Sequence, residues 1–211
     1  MPLLIDVRKL TIINRLITNG SESVADSLST LASVDASVDI KSLSFVDPSD
    51  MSAEIGPGKT YSARIRLTEP PYGVFMMTFP QSTAREIAEL MTGQSCDGPL
   101  TEFHQSALQE MCNILTSGFI DGIANTLEAT IDMGTPTLEY SPGDELADKA
   151  LSHVRMDSTA IVLDSVVDVA NSDTNLGIRI FLVPDPGAFV NLIDHLEMDI
   201  DESTGDQTAE S

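Results

Sequence analysis

The chain has 211 residues, enough for one sizeable domain, and an ordinary 42% of hydrophobic residues, but its net charge is −22. Its 33 carboxylates face 11 Lys and Arg, of which only Lys9, Lys41, Lys59 and Lys149 are Lys, a surface that repels nucleic acid and anionic membrane and excludes both as partners. No apolar run is long enough to span a bilayer, no basic segment precedes Leu3–Leu4–Ile5, and two cysteines (Cys96, Cys112) make no disulfide framework, so a reduced, cytoplasmic protein is expected.

From Asp6 to Ala32 the spacing of Leu10, Ile13, Leu16/Ile17, Val24, Leu28 and Leu31 predicts an amphipathic helix, with Gly20 marking a kink or a break into two pieces. Alternation of Val34, Ala36, Val38 and Ile40 predicts a strand over Val34–Val46, followed by a turn-rich stretch from Asp47 to Gly58. Gly56-Pro57-Gly58-Lys59-Thr60 has the look of a phosphate-binding loop. Ala53 stands where its first glycine belongs, however, and an alternating strand follows where a helix is required, so a β-turn is the reading. Tyr61, Ala63, Ile65 and Leu67 form one arm of a hairpin, Pro70–Gly73 the turn, and Val74–Phe79 the other arm. Pro80 and Ser82–Thr83 then open a short helix, Ala84–Met91.

The second half repeats this order. A long helix spans Leu100–Glu128, with Phe103, Ala107/Leu108, Met111, Leu115, Phe119, Ile123 and Leu127 as its core stripe. A strand follows at Thr137–Tyr140, an acidic loop at Pro142–Asp148, a strand at Thr159–Ala170, a polar turn at Asn171–Asn175, a strand at Gly177–Val183 and a short helix at Ala188–Leu196. A slide of 95 residues lays Asp26 on Asp121, Leu28 on Ile123, Leu43 on Leu138 and Phe45 on Tyr140, and a slide of 104 lays Phe79–Pro80 on Val183–Pro184. The expected fold is α+β: one pseudo-two-fold, duplicated domain over residues 1–196, with half-repeats of about 6–92 and 100–196. Its strands pool in a mostly antiparallel sheet, with two long helices and shorter helices packed upon it. Residues 197–211 are acidic and aperiodic and are expected to be a disordered tail.

On the long helix, Ser106, Glu110 and Asn113 stand at i, i+4 and i+7 on the face opposite the apolar stripe, and Pro136 follows in a Gly-Thr-Pro turn. A Glu and an Asn three apart are commonly no more than a solvated face. The full pattern, Ser-x3-Glu-x2-Asn-x22-Pro on a duplicated chain, resembles the signature of the CheC family of chemotaxis phosphatases, whose fold CheX, FliY and the non-catalytic switch protein FliM share. The resemblance covers the chain to about Met198. In the first half, Thr11, Arg15, Thr18 and Lys41 stand where the four motif residues would be, so that copy is degenerate and one working site is expected, not two.

The resemblance implies hydrolysis of the aspartyl phosphate on a CheY-like response regulator. Such a bond is already labile, so catalysis needs little more than a placed water and a dry contact. The Asn113 amide suits the water, because it accepts a hydrogen bond without adding charge near the phosphoryl oxygens. Glu110 is better cast as the docking group for the regulator's Lys; Ser106 either supports the helix face or contacts the partner, and Pro136 shapes its loop without performing chemistry. Any Mg²⁺ belongs to the partner's acidic pocket. His104, His153 and His195 have no metal-ligand spacing, and the chain offers no cofactor site of its own. CheD, the receptor deamidase, is a further partner that the resemblance admits. The competing reading is a non-catalytic adaptor of the same fold, either a flagellar-switch component or a CheD-docking protein.

An acidic, Lys-poor, well-patterned chain suits a salt-rich cytoplasm, where screening shortens to roughly 3 Å at 1 M. Raising KCl from about 0.1 M to about 2 M should therefore raise the midpoint of thermal unfolding as carboxylate self-repulsion is screened. A midpoint that is flat or falling over a calorimetric salt series would refute this.

Overall fold

A computed structural model describes residues 7–31, 35–70, 72–152, 154, 159–169 and 175–187. The chain runs α1 (Val7–Leu31), β1 (Ala36–Val46), a 3₁₀ turn (Pro48–Asp50), α2 (Met51–Ile55), β2 (Lys59–Leu67), β3 (Gly73–Phe79), α3 (Gln81–Thr92), α4 (Glu102–Thr126), β4 (Thr137–Pro142), α5 (Gly143–Leu151), β5 (Ala160–Val169) and β6 (Asn175–Pro184). The six strands form one antiparallel sheet in the order β1-β5-β6-β3-β2-β4. Exchanging β1 with β4, β2 with β5 and β3 with β6 reverses this order into itself, which is the pseudo-two-fold expected of a duplication.

The sheet is covered on both faces. On the inner face Ala63, Ile65, Phe75, Met77, Phe79, Leu163, Ile178 and Ile180 join the buried stripes of α1, α3 and α4 in one large core. On the outer face Val74, Met76, Val162, Phe181 and Val183 pack with Met51 of α2 and Ala147 and Ala150 of α5 in a smaller one. Arg179 ties this second layer down. It pairs with Asp164 at 2.5 Å and donates to the Glu54 carbonyl at the end of α2. Burial alone would raise the Asp164 carboxyl, but the hydrogen bonds from Arg179 and Ser42 outweigh it and the group titrates below its ordinary value.

The two long helices cross antiparallel at their glycines. A Cβ on Gly118 would stand 2.9 Å from the Val24 Cα, and one on Gly122 2.5 Å from the Gly20 Cα and closer still to the Asn19 carbonyl oxygen. Gly20 faces the Phe119 ring, which a Cβ would approach to 3.1 Å. The glycine expected to break α1 therefore sits within a single helix and is needed for close packing. Asn19 Nδ2 donates to Thr126 Oγ1 at 2.7 Å across the same seam.

Four expectations change. The acidic segment Pro142–Asp148 is not a loop but the end of β4 and most of α5; Leu146, Ala147 and Ala150 bury one side of that helix, and Asp144 and Glu145 favour its first turn. The turn-rich stretch before β2 contains the 3₁₀ turn and α2, and Gly56 ends α2 with φ +94° before Pro57-Gly58 lead into the strand. Phe103 and Leu10, expected in the core, are 57% and 36% exposed. The slide of 104 is also off by one. Phe45 pairs with Ile161 and Tyr140 with Tyr61, so Tyr61 corresponds to Ile161; their partners, Phe79 and Leu182, then correspond, at a slide of 103. Val183 faces the outer core, whereas Phe79 faces the inner one.

Asp6, Ala32, Val34, Pro71, His153, His195, Ala170, most of the turn at 171–175, the helix at 188–196 and the tail at 197–211 lie outside the described residues. Among the described residues no helix is long and apolar enough to cross a membrane.

Gly122→Ala should destabilise the protein by about 1–3 kcal/mol, because backbone lies on the far side of the contact and no side chain can yield. Gly177→Ala, with nothing within 4 Å, serves as the comparison. Denaturant titration in high salt measures both; equal midpoints would mean that the crossing is not close-packed.

Candidate functional site

Thr101 starts α4. Its Oγ1 accepts from the His104 backbone N–H at 3.3 Å, and the His104 ring Nδ1 accepts from the Thr101 N–H at 3.4 Å, so the cap places the first helical residue at Glu102 and buries His104 beneath it. From this start Leu108, Met111, Cys112, Leu115, Phe119 and Ile123 point into the core. Ser106 and Glu110 are exposed and Asn113 is half-buried. At about 100° and 1.5 Å per residue, the three lie within a sector of roughly 60° along about 10 Å of helix. No other described residue holds their side chains by a hydrogen bond or ion pair, so the Glu110 carboxylate and the Asn113 amide face outward and are available. Cys112, beside Asn113 in sequence, points the opposite way; burial pushes its thiol up to about 12, which removes it as a nucleophile.

Pro136 is buried just ahead of β4, and its carbonyl accepts from Gln109 Nε2 at 2.8 Å. Gln109 lies within the Ser-x3-Glu gap and was not among the residues singled out by sequence. It joins the two separated parts of the motif, and Ile131 anchors the intervening loop in the core. The sequence signal for it is slight: a polar side chain on the flank between the apolar stripe and the outward face.

The first half presents the corresponding surface. A slide of 95 sets buried Ile13, Leu16, Ile17, Val24 and Leu28 on buried Leu108, Met111, Cys112, Phe119 and Ile123. Thr11, Arg15 and Thr18 are all exposed, so Arg15 and Thr18 stand on α1 where Glu110 and Asn113 stand on α4. Lys41 is not in a loop. It is the extra residue of a bulge in β1, between Ile40 opposite Ser165 and Ser42 opposite Asp164, and its Nζ pairs with Asp39 at 3.0 Å.

Residues 103–140, the span that carries the motif, match the CheC-like family. CheC1 of Halobacterium salinarum, named as a candidate CheY-P phosphatase, is 34% identical over 198 residues, covering 93% of this chain and 100% of its own. The chain belongs to the CheC-like family. Solved structures agree on the fold of this CheC-like protein. Thermotoga maritima FliY superposes with a TM-score of 0.76 at 17% identity over 93% of this chain and 99% of FliY. The FliM middle domain of H. pylori gives 0.64 at 8% identity over 90% of this chain and 99% of that domain.

Gln109→Ala should free the Pro136 carbonyl and speed amide hydrogen exchange in residues 129–136, while the amides at the α1–α4 crossing keep their protection. Unchanged exchange in that loop would show that Ile131 alone holds it.

Proposed function

We propose that this CheC-like protein hydrolyses the aspartyl phosphate of a CheY-type response regulator in the cytoplasm. The single observation that carries this reading is the free, outward-facing pair Glu110 and Asn113 on a rigidly packed helix. The name of the H. salinarum relative supports the choice of substrate. In the proposed complex the Asn113 amide oxygen accepts a hydrogen bond from a water and holds it in line with phosphorus. The water oxygen forms the new P–O bond, the bond to the regulator's aspartate breaks, the carboxylate leaves with the electron pair, and the water's proton passes to phosphate or solvent. Glu110, one turn earlier, pairs with the regulator's Lys and keeps its own charge away from the phosphoryl oxygens. Pro136, clamped by Gln109, shapes the loop beside this face, and Ser106 extends it. Mg²⁺ belongs to the regulator's acidic pocket in this scheme.

Stimulated phosphate loss from the regulator, followed at high salt, tests the proposal. Asn113→Ala should lower the stimulated rate by about 10²–10³, the usual effect of losing one positioned polar group, with the fold intact because a half-exposed side chain leaves no cavity. Glu110→Gln should weaken binding as well as turnover, and Arg15→Ala/Thr18→Ala should change neither. An Asn113→Ala rate within a few-fold of wild type would sink the water-positioning role. A second reading, a non-catalytic adaptor that docks a regulator or CheD, draws on the degenerate α1 face, where Arg15 would meet a regulator Lys with repulsion. Wild-type protein that binds the regulator without accelerating phosphate loss would favour it.

A further inference from the structure

Four large hydrophobic side chains are exposed among the described residues: Leu10, Tyr72, Phe103 and Tyr140. Tyr140 is accounted for by its ring contact with Tyr61 at 4.6 Å and its hydroxyl on Gln81. Tyr72 lies at the β2–β3 turn with φ +48°, and Leu10 is only marginally exposed at 36%. Phe103 is the most exposed, at 57%, although it sits in the first turn of a capped, rigid helix and takes part in neither core. Its position is not random. Phe103, Ser106, Glu110 and Asn113 fall at i, i+3, i+7 and i+10, within a sector of roughly 80° and along about 15 Å of α4.

Two further observations bear on what covers it. The slide of 95 that matches the buried residues of α1 and α4 puts Arg8 where Phe103 stands, so the half that lost the Glu/Asn pair lacks the aromatic as well. From Glu86 to Asp148 the chain has no Lys or Arg, so α4 contributes carboxylates (Glu102, Glu110) and no cation to the stripe, while Arg85 of α3, toward the start of α4, is engaged with the Cys96 carbonyl at 3.4 Å. The complement of the stripe is an apolar patch rimmed by basic side chains.

We infer that Phe103 is the apolar anchor by which α4 docks on the receiver domain of the response regulator, inserting into an apolar patch beside the phosphorylated aspartate while Glu110 meets the basic rim. The inference rests on the proposed phosphatase reading for the identity of the partner. Its division of labour follows from solvent. Salt near 1 M screens the Glu110 attraction to within roughly 3 Å, whereas burial of an aromatic ring is not weakened by screening, so in a salt-rich medium affinity rests on Phe103.

The test is the dissociation constant for regulator loaded with Mg²⁺ and beryllofluoride, measured at about 0.2 M and about 2 M KCl, together with saturating turnover of phosphorylated regulator. Phe103→Ala should weaken binding by about 30-fold or more at both salts, the effect of losing an interface anchor, and leave turnover at saturation within two-fold. Phe103→Leu should restore most of the affinity, Tyr72→Ala should change nothing, and the Glu110→Gln defect should shrink as salt rises. Phe103→Ala binding within two-fold of wild type, or no wild-type binding at all, overturns the inference. Unchanged Phe103→Ala binding with inactive Asn113→Ala would reject the anchor and keep the phosphatase. Weakened Phe103→Ala binding with no wild-type turnover would do the reverse.

Discussion

The seam between α1 and α4 is the constraint on which the other features depend. Gly118 and Gly122 bring the α4 backbone against that of α1 near Val24 and Gly20, at distances no other residue type permits. Two 25-residue helices held that closely act as one slab over the inner face of the sheet. A side chain of α4 that faces none of the seam, α3 and the sheet is left pointing outward, and Phe103, Ser106, Glu110 and Asn113 stand there.

Rigidity matters for the proposed chemistry because a water held by one amide is only as well placed as the helix that carries the amide. The Thr101–His104 cap fixes the helix start, the glycine seam fixes its middle, and the Gln109–Pro136 bond brings the following loop onto its flank. No metal or covalent intermediate on this chain enters the proposed mechanism, so geometry has to supply what reactive groups supply elsewhere.

The long helices and the alternating strands could be read from the sequence because each writes a strong period into its apolar residues, and the duplication because their order recurs. The failures have physical causes. In β3 every residue from Val74 to Phe79 is buried, since the sheet is covered on both faces; a strand without alternation does not report which residues share a face, and the two halves were aligned one residue out of register. Acidic residues on the exposed side of α5 masked its short apolar face at Leu146, Ala147 and Ala150. Phe103 is four residues before Ala107, which gives it the step of a core residue, but its angle around α4 falls with Ser106, Glu110 and Asn113 and not with Leu108, Met111 and Leu115, a difference that a single four-residue step does not reveal. Glu110 and Asn113 were legible as a pair because helix geometry alone puts them together. Gln109 was not, because its partner is a backbone carbonyl 27 residues away.

The bulge at Lys41 has a consequence for how copies of this molecule coexist. β1 is an outer strand of 11 residues, and a flat outer strand of that length offers its unpaired amides to any neighbouring chain. Asp39 and Lys41 discourage such an approach by charge, but a concentrated electrolyte removes most of that discouragement. The inserted residue bends and twists the strand instead, and a bend is a matter of shape. It hinders edge-to-edge pairing along β1 as well in brine as in dilute buffer.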